Sequence, residues 1–156
     1  MDKTELIAEI IRHLEDDLQV NIDAANEARE AAIHDESVPE TQYDTLGLEA
    51  SYLAHGQSKR VQELEMNLAD YRSMPVRIFD QDTPVGLSAL VTLEKPQGEQ
   101  KHLFIGVAGG GVQINTDGIL VTVITPDAPM GRALVGQFCG DTVTLPQGEY
   151  EIVEIC

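Results

Sequence analysis

Cysteine is scarce in this chain of 156 residues: Cys139 and Cys156 are the only two. That excludes a disulfide scaffold and a cysteine-rich zinc site, and both residues are expected as free thiols. Basic residues are scarce too. Lys plus Arg number 10 against 27 Asp plus Glu, a net charge of −17, which argues against binding duplex nucleic acid through the chain's own phosphate contacts. Long apolar runs are missing: the stretch Ile119–Ile124 falls far short of the roughly 20 residues a membrane span needs. The acidic N-terminus lacks the basic start and apolar core of a signal peptide, so a soluble cytoplasmic protein without a membrane partner is expected.

Catalytic signatures are also missing. Gly109-Gly110-Gly111 is not followed by Lys-Ser/Thr and is flanked by strand-like segments, so it reads as a turn rather than a phosphate loop. His13, His34, His55 and His102 show no i, i+4 pairing of the metalloprotease kind, and no Ser/His/Asp or Cys/His arrangement follows from spacing.

What is present divides into two halves of different period. Residues 1–72 hold 17 acids and 6 bases, net −11, whereas residues 73–156 hold 10 acids and 4 bases, net −6. The first half contains one proline, Pro39, and its apolar residues recur by threes and fours, as two helices require. On the first helix Ile7, Ile11, Leu14, Leu18, Asn21, Ala25, Ala28 and Ala32 form one seam, and Asp2 with Glu5 resembles a capping box at its start. Tyr71, Leu68, Leu64, Val61, Gln57, Ala54, Ala50 and Gly47 form the other. Paired antiparallel, 7 with 71 through 32 with 47, every pair sums to 78 or 79. The layers taper from Ile, Leu and Tyr through a polar Asn21/Gln57 layer to Ala and Gly, and small residues let helices approach closely. The polar layer is read as fixing register. The result is a thin acidic finger of roughly 45 Å at 1.5 Å per residue.

Met74-Pro75 ends this pattern, and period-two, β-branched segments follow at 76–79, 85–94, 102–107, 119–125, 142–145 and 150–155. They predict a small antiparallel sheet with turns at 96–98, 117–118 and 146–148. Between the fourth and fifth segments, residues 127–136 carry an N-cap at Asp127, an early proline and a closing glycine, which predicts a short helix. The fold class is therefore α+β: an N-terminal antiparallel helical hairpin of the coiled-coil kind over residues 1–73, then a β domain with a short helix over residues 74–156.

The turn of the hairpin concentrates carboxylates. Asp35, Glu36, Glu40 and Asp44 fall within ten residues around Pro39. One or two such groups suffice to present a magnesium ion, which takes oxygen ligands and keeps several waters, to a second site that supplies the rest. The same acids suit a plainer role, since Ser37 to Glu40 is itself a capping box and acids near a helix start offset its dipole.

The C-terminal half carries a specific run. Residues 119–125 form a strand, and Pro126-Asp127-Ala128-Pro129-Met130-Gly131-Arg132-Ala133-Leu134-Val135-Gly136 follows it. Then come Gly140-Asp141-Thr142-Val143 and Tyr150-Glu151-Ile152-Val153. This succession resembles the bacterial transcript-cleavage and elongation factors of the GreA/GreB family, and Glu27 to Glu30 with Arg60 to Glu65 resemble the two arms of that family's coiled coil. The resemblance covers nearly the whole chain. It implies an FKBP-like C-terminal domain that docks on RNA polymerase at the rim of its secondary channel, through the helix bearing Met130 and Arg132. It also implies a hairpin that enters the channel, and tip acids that help position magnesium at the polymerase active centre. No catalytic residue, stably held metal or cofactor of the chain's own is implied, and RNA is met only through the polymerase.

The tip departs from the family pattern. Where the family has an Asp, two residues and then Glu-Asn, this chain has Ser37 and Glu40-Thr41. Two outcomes therefore stand open: a factor that stimulates cleavage of backtracked RNA, and a non-cleaving occupant of the channel that regulates or inhibits transcription. A reading of another class is a helical adaptor or chaperone with no polymerase role. Prolyl isomerase activity by fold analogy is the weakest, because fold does not fix function and the domain has no Trp; only Phe79, Phe104, Phe138 and Tyr150 offer an aromatic lining.

Overall fold

A computed structural model describes the backbone of residues 1–37 and 46–156 and the side chains of residues 1–33 and 54–156. Two helices, α1 (Lys3–Ser37) and α2 (Leu46–Ser73), precede six strands: β1 (Leu90–Glu94), β2 (Gln100–Ile105), β3 (Gln113–Thr116), β4 (Ile119–Ile124), β5 (Thr142–Leu145) and β6 (Gly148–Ile155). A short helix, α3 (Pro129–Leu134), lies between β4 and β5. The architecture is α+β, as the two periods predict. Among the described residues no helix is long and apolar enough to cross a membrane. The chain divides into two compact units, Arg12–Leu68 and a second made of Met1–Ile11 with Ala69–Cys156.

In the helical unit the predicted stripe is the buried one. Leu14, Ala25, Ala32, Ala54, Leu64 and Leu68 are buried, and Leu18, Asn21, Ala28, Gln57 and Val61 between them are half-buried. A polar residue on this stripe has to satisfy its amide: Asn21 donates to the Asp17 carbonyl of its own helix at 2.8 Å, and Arg29 of α1 donates to Ser58 Oγ of α2 at 3.3 Å. The helix start follows its sequence signal, with the Asp2 carboxylate accepting from the Thr4 N–H at 2.8 Å. The paired positions 28 with 50 and 32 with 47 involve side chains outside the described residues.

The other unit is built on one sheet in the order β3-β4-β2-β1-β6-β5. Four of its pairings are antiparallel and one, β2 with β4, is parallel, which corrects the all-antiparallel expectation. The cause is β3, a short strand the sequence did not announce. It takes the edge outside β4, so the chain returns to β2 from the far side. Its residues Gln113, Asn115 and Thr116 are polar and only Ile114 is buried, so there was no apolar alternation to read. The other strands match their segments at the core and differ at the ends. The Asp117-Gly118 turn has both residues at positive φ, 53° and 78°, as a two-residue hairpin turn demands.

Two further expectations are corrected. Segment 76–79 is not a strand, and 85–89 precedes β1 as turns and irregular chain. The backbone groups that a ladder would use are taken by side chains: Arg77 N–H donates to Ser88 Oγ at 2.9 Å, and the Arg77 carbonyl accepts from Lys3 Nζ at 2.6 Å. Ser88 is the hub of this knot. It is fully buried at φ 68°, its N–H donates to the Ile105 carbonyl, and its own carbonyl accepts from Lys3 Nζ at 3.0 Å. The Lys3 ammonium also lies 4.8 Å from the centroid of the Phe79 ring, and burial lowers its pKa from the ordinary value.

The sheet is buried on both faces. On one, Val91, Leu93, Leu103, Ile105, Tyr150 and Ile152 form the main cluster, with Leu134 of α3 beneath them. On the other, Leu90, Phe104, Val121 and Val123 are buried in register. There Gly106 is required by close approach: a Cβ at this position would lie 2.2 Å from Tyr71 Oη and 3.0 Å from Val123 Cγ1. Tyr71 donates to the Ala108 carbonyl at 2.5 Å, and burial pushes its phenol up to about 12.

Candidate functional site

The motif run of the C-terminal half folds into β4, α3, β5 and β6, and its residues fall into two groups. The first is needed by the fold. Gly131 sits where a Cβ would come 1.9 Å from the Thr125 carbonyl oxygen, so α3 can pack against the end of β4 only with glycine there. Leu134 is fully buried in the main cluster, and Gly136 adopts φ 87° just past the helix. Tyr150 and Ile152 belong to the same core. The helix starts at Ala128, which makes no side-chain cap bond, with Pro129 opening the first turn; this corrects the assignment of Asp127 as N-cap.

The second group reaches the surface. Arg132 is exposed on α3, and Met130 is half-buried at the margin of the core. Met130 is one wall of a groove of about 360 Å³ on the sheet face, together with Lys101 and Leu103 of β2, Gln113 of β3, and Leu120 and Thr122 of β4. Leu120 is half exposed, at 50%. A flexible thioether beside an uncovered leucine makes an adaptable apolar surface. The structure therefore places both predicted docking residues on one short helix and gives Met130 a groove. The groove itself was not legible, because Gln113 and Leu120 reach it through the unannounced strand β3 and its partner.

The predicted tip residues have another standing. Asp35 and Glu36 fall in the last turn of α1, and their side chains, with Glu40, Asp44 and the 37–40 capping box from residue 38 onward, lie outside the described residues. Among the described residues no group of three or more His, Cys, Asp or Glu side chains is placed to hold a metal ion. Both cysteines are free thiols. The four aromatics of the isomerase reading are divided: Phe79 and Tyr150 belong to the main cluster, Phe104 is buried on the opposite sheet face, and Phe138 is 42% exposed.

Neither the family models nor the curated proteins contain a match to this chain. Among solved structures, the chain is similar to the GreA factor homolog 1 (Gfh1) protein of Thermus thermophilus, at 25% identity over 94% of each chain with a TM-score of 0.36. It is similar to the transcription factor Gfh1 in a second structure at 22% identity, over 93% of this chain and 92% of that one, with a TM-score of 0.38. It is also similar to Gfh1 of Thermus aquaticus at 25% identity, over 92% of each chain, with a TM-score of 0.35.

Proposed function

We propose that this chain is a transcription factor of the GreA/GreB type that binds RNA polymerase at its secondary channel and regulates elongation. The observation that carries the proposal is the division of the C-terminal motif. Its glycines and buried residues have structural reasons to be where they are, whereas Arg132 is exposed and Met130, packed against the core on one side, lines a groove on the other. Met130 shares its groove with the half-exposed Leu120, and apolar side chains left exposed together mark a surface where a partner is met. The long acidic hairpin fits the same reading, since a narrow finger suits a channel and its charge suits a cation-rich destination.

In this reading the chain has no active centre of its own. The polymerase holds the RNA and the magnesium ions, which activate water for phosphodiester cleavage. Glu40, with Asp35, Glu36 or Asp44, is the proposed source of tip carboxylate. A second reading, channel occupancy without cleavage, is favoured by one observation: Ser37 stands where the family pattern has an aspartate. Adding the chain to a stalled, backtracked polymerase complex separates the two. Shortened RNA that disappears with Glu40→Gln supports cleavage. Competition with a cleavage factor but no shortening at any magnesium concentration supports occupancy alone, and in that case Ser37→Asp is the informative partner variant. Failure to compete removes both.

A further inference from the structure

We infer that the groove between α1 and α2 in the helical unit binds a small phosphomonoester with a ring, of nucleotide size, and that Arg29 holds its phosphate. The inference is independent of the polymerase reading, because the groove lies within Arg12–Leu68 and binding there needs only this chain. Three observations carry it. The first is the lining. The groove, of about 290 Å³, has an apolar floor of Ile22, Ala25 and Val61, and its polar side chains are Asn26, Arg29, Ser58 and Gln62. Apolar walls with a few convergent polar groups between packed helices are the makings of a small-molecule site.

The second is charge. Residues 1–72 hold 17 acids and 6 bases, yet no carboxylate lines this groove. The residues three and four positions from Arg29 on its own helix, Ala25, Asn26, Ala32 and Ile33, are all uncharged, so no acid there is spaced to pair with it. Its partner is the neutral Ser58 Oγ of α2 at 3.3 Å, and among the described residues no carboxylate pairs with it. Arg60, by contrast, is answered within the chain by Glu63 at 3.3 Å.

The third is the donor set. Arg29, Asn26 and Gln62 all end in N–H donors, and the Ser58 hydroxyl that accepts from Arg29 has its own proton to give. A phosphate monoester accepts on three oxygens, and a guanidinium fork takes two of them at once. A ring attached to that phosphate has the floor to rest on, where the small Ala25 leaves room. The acidic hairpin repels anions as a whole, so binding comes from these local donors and is lost with them.

The test is titration of the whole chain with adenosine monophosphate, adenosine and inorganic phosphate, read by calorimetry and by backbone amide NMR shifts. The proteins are the parent, Arg29→Gln, Arg29→Lys and Arg60→Gln. Arg29 is exposed, so the variants keep their helices, which circular dichroism checks. The parent is expected to bind the monophosphate, with shifts at 22–29 and 58–62, and to bind adenosine and inorganic phosphate more weakly, since each meets only half of the site. Arg29→Gln should bind the monophosphate about tenfold less tightly. Arg29→Lys, which keeps the charge and loses the fork, should fall between, and Arg60→Gln should match the parent. No binding of the monophosphate by the parent at millimolar concentration overturns the inference. So does parent affinity in Arg29→Gln, an equal loss in Arg60→Gln, or adenosine or inorganic phosphate binding as tightly as the monophosphate. Each of these results leaves the polymerase reading standing.

Discussion

The helical unit and the sheet unit bury their residues by different rules. Along the hairpin a single stripe is covered, and toward the turn it narrows to alanines, Ala25, Ala32 and Ala54. In the sheet unit both faces are covered, and single atoms decide whether the chain fits. The Thr125 carbonyl meets Gly131, the Tyr71 hydroxyl meets Gly106, and the Lys3 ammonium closes the knot at Ser88. A periodic element thus tolerates variation in its stripe and depends on bulk, whereas the sheet unit depends on approach distances that no periodicity encodes.

The sharpest break of this contrast is Gly131→Ala. A methyl group facing a backbone oxygen has nothing flexible to displace, so a loss of about 4 kcal/mol and disorder of α3 are expected in a denaturant titration. A loss below about 1 kcal/mol would mean that α3 shifts freely, and that the approach distance is not limiting.

Next comes Leu64→Ala, at a residue with no exposed surface. The cavity should cost about 3 kcal/mol, and amide exchange should show the loss in Arg12–Leu68 while the strands keep their protection. Uniform loss through both units would show that the two unfold as one.

A smaller effect sharpens the sheet side. Gly106→Ala places a methyl against the Tyr71 hydroxyl and should cost about 2 kcal/mol, whereas Tyr71→Phe loses one hydrogen bond at about 1 kcal/mol. Together they should cost less than the sum, because removing the hydroxyl makes room for the methyl. The same tyrosine gives a pH signature. Its folded pKa, about 12, lies above the unfolded value near 10, so its contribution is complete below about pH 10 and fades as the pH rises through 12. Tyr71→Phe should remove that alkaline loss.

Legibility follows the same divide. The seams, the α+β class and the cores of five strands, β1, β2, β4, β5 and β6, could be read, because burial there repeats with a fixed period. Segment 76–79 looked equally strand-like, yet Lys3 and Ser88 take its backbone groups, from positions 74 and 11 residues away from Arg77. Strand β3 was missed because its pairing with β4, not its composition, makes it a strand. At the candidate site Met130 and Arg132 could be named by resemblance, and the groove that Met130 lines could not, because it depends on how β2, β3 and β4 pair.

The proposed polymerase contact of α3 rests on the exposed Arg132. It is tested most directly by competing the parent chain and Arg132→Glu against a known secondary-channel factor for core RNA polymerase, with circular dichroism of both. The parent is expected to displace the factor, and Arg132→Glu, with an unchanged spectrum, to do so about tenfold less well. Equal displacement by the two folded proteins would contradict the assignment of that surface, and no displacement by the parent would contradict the function itself.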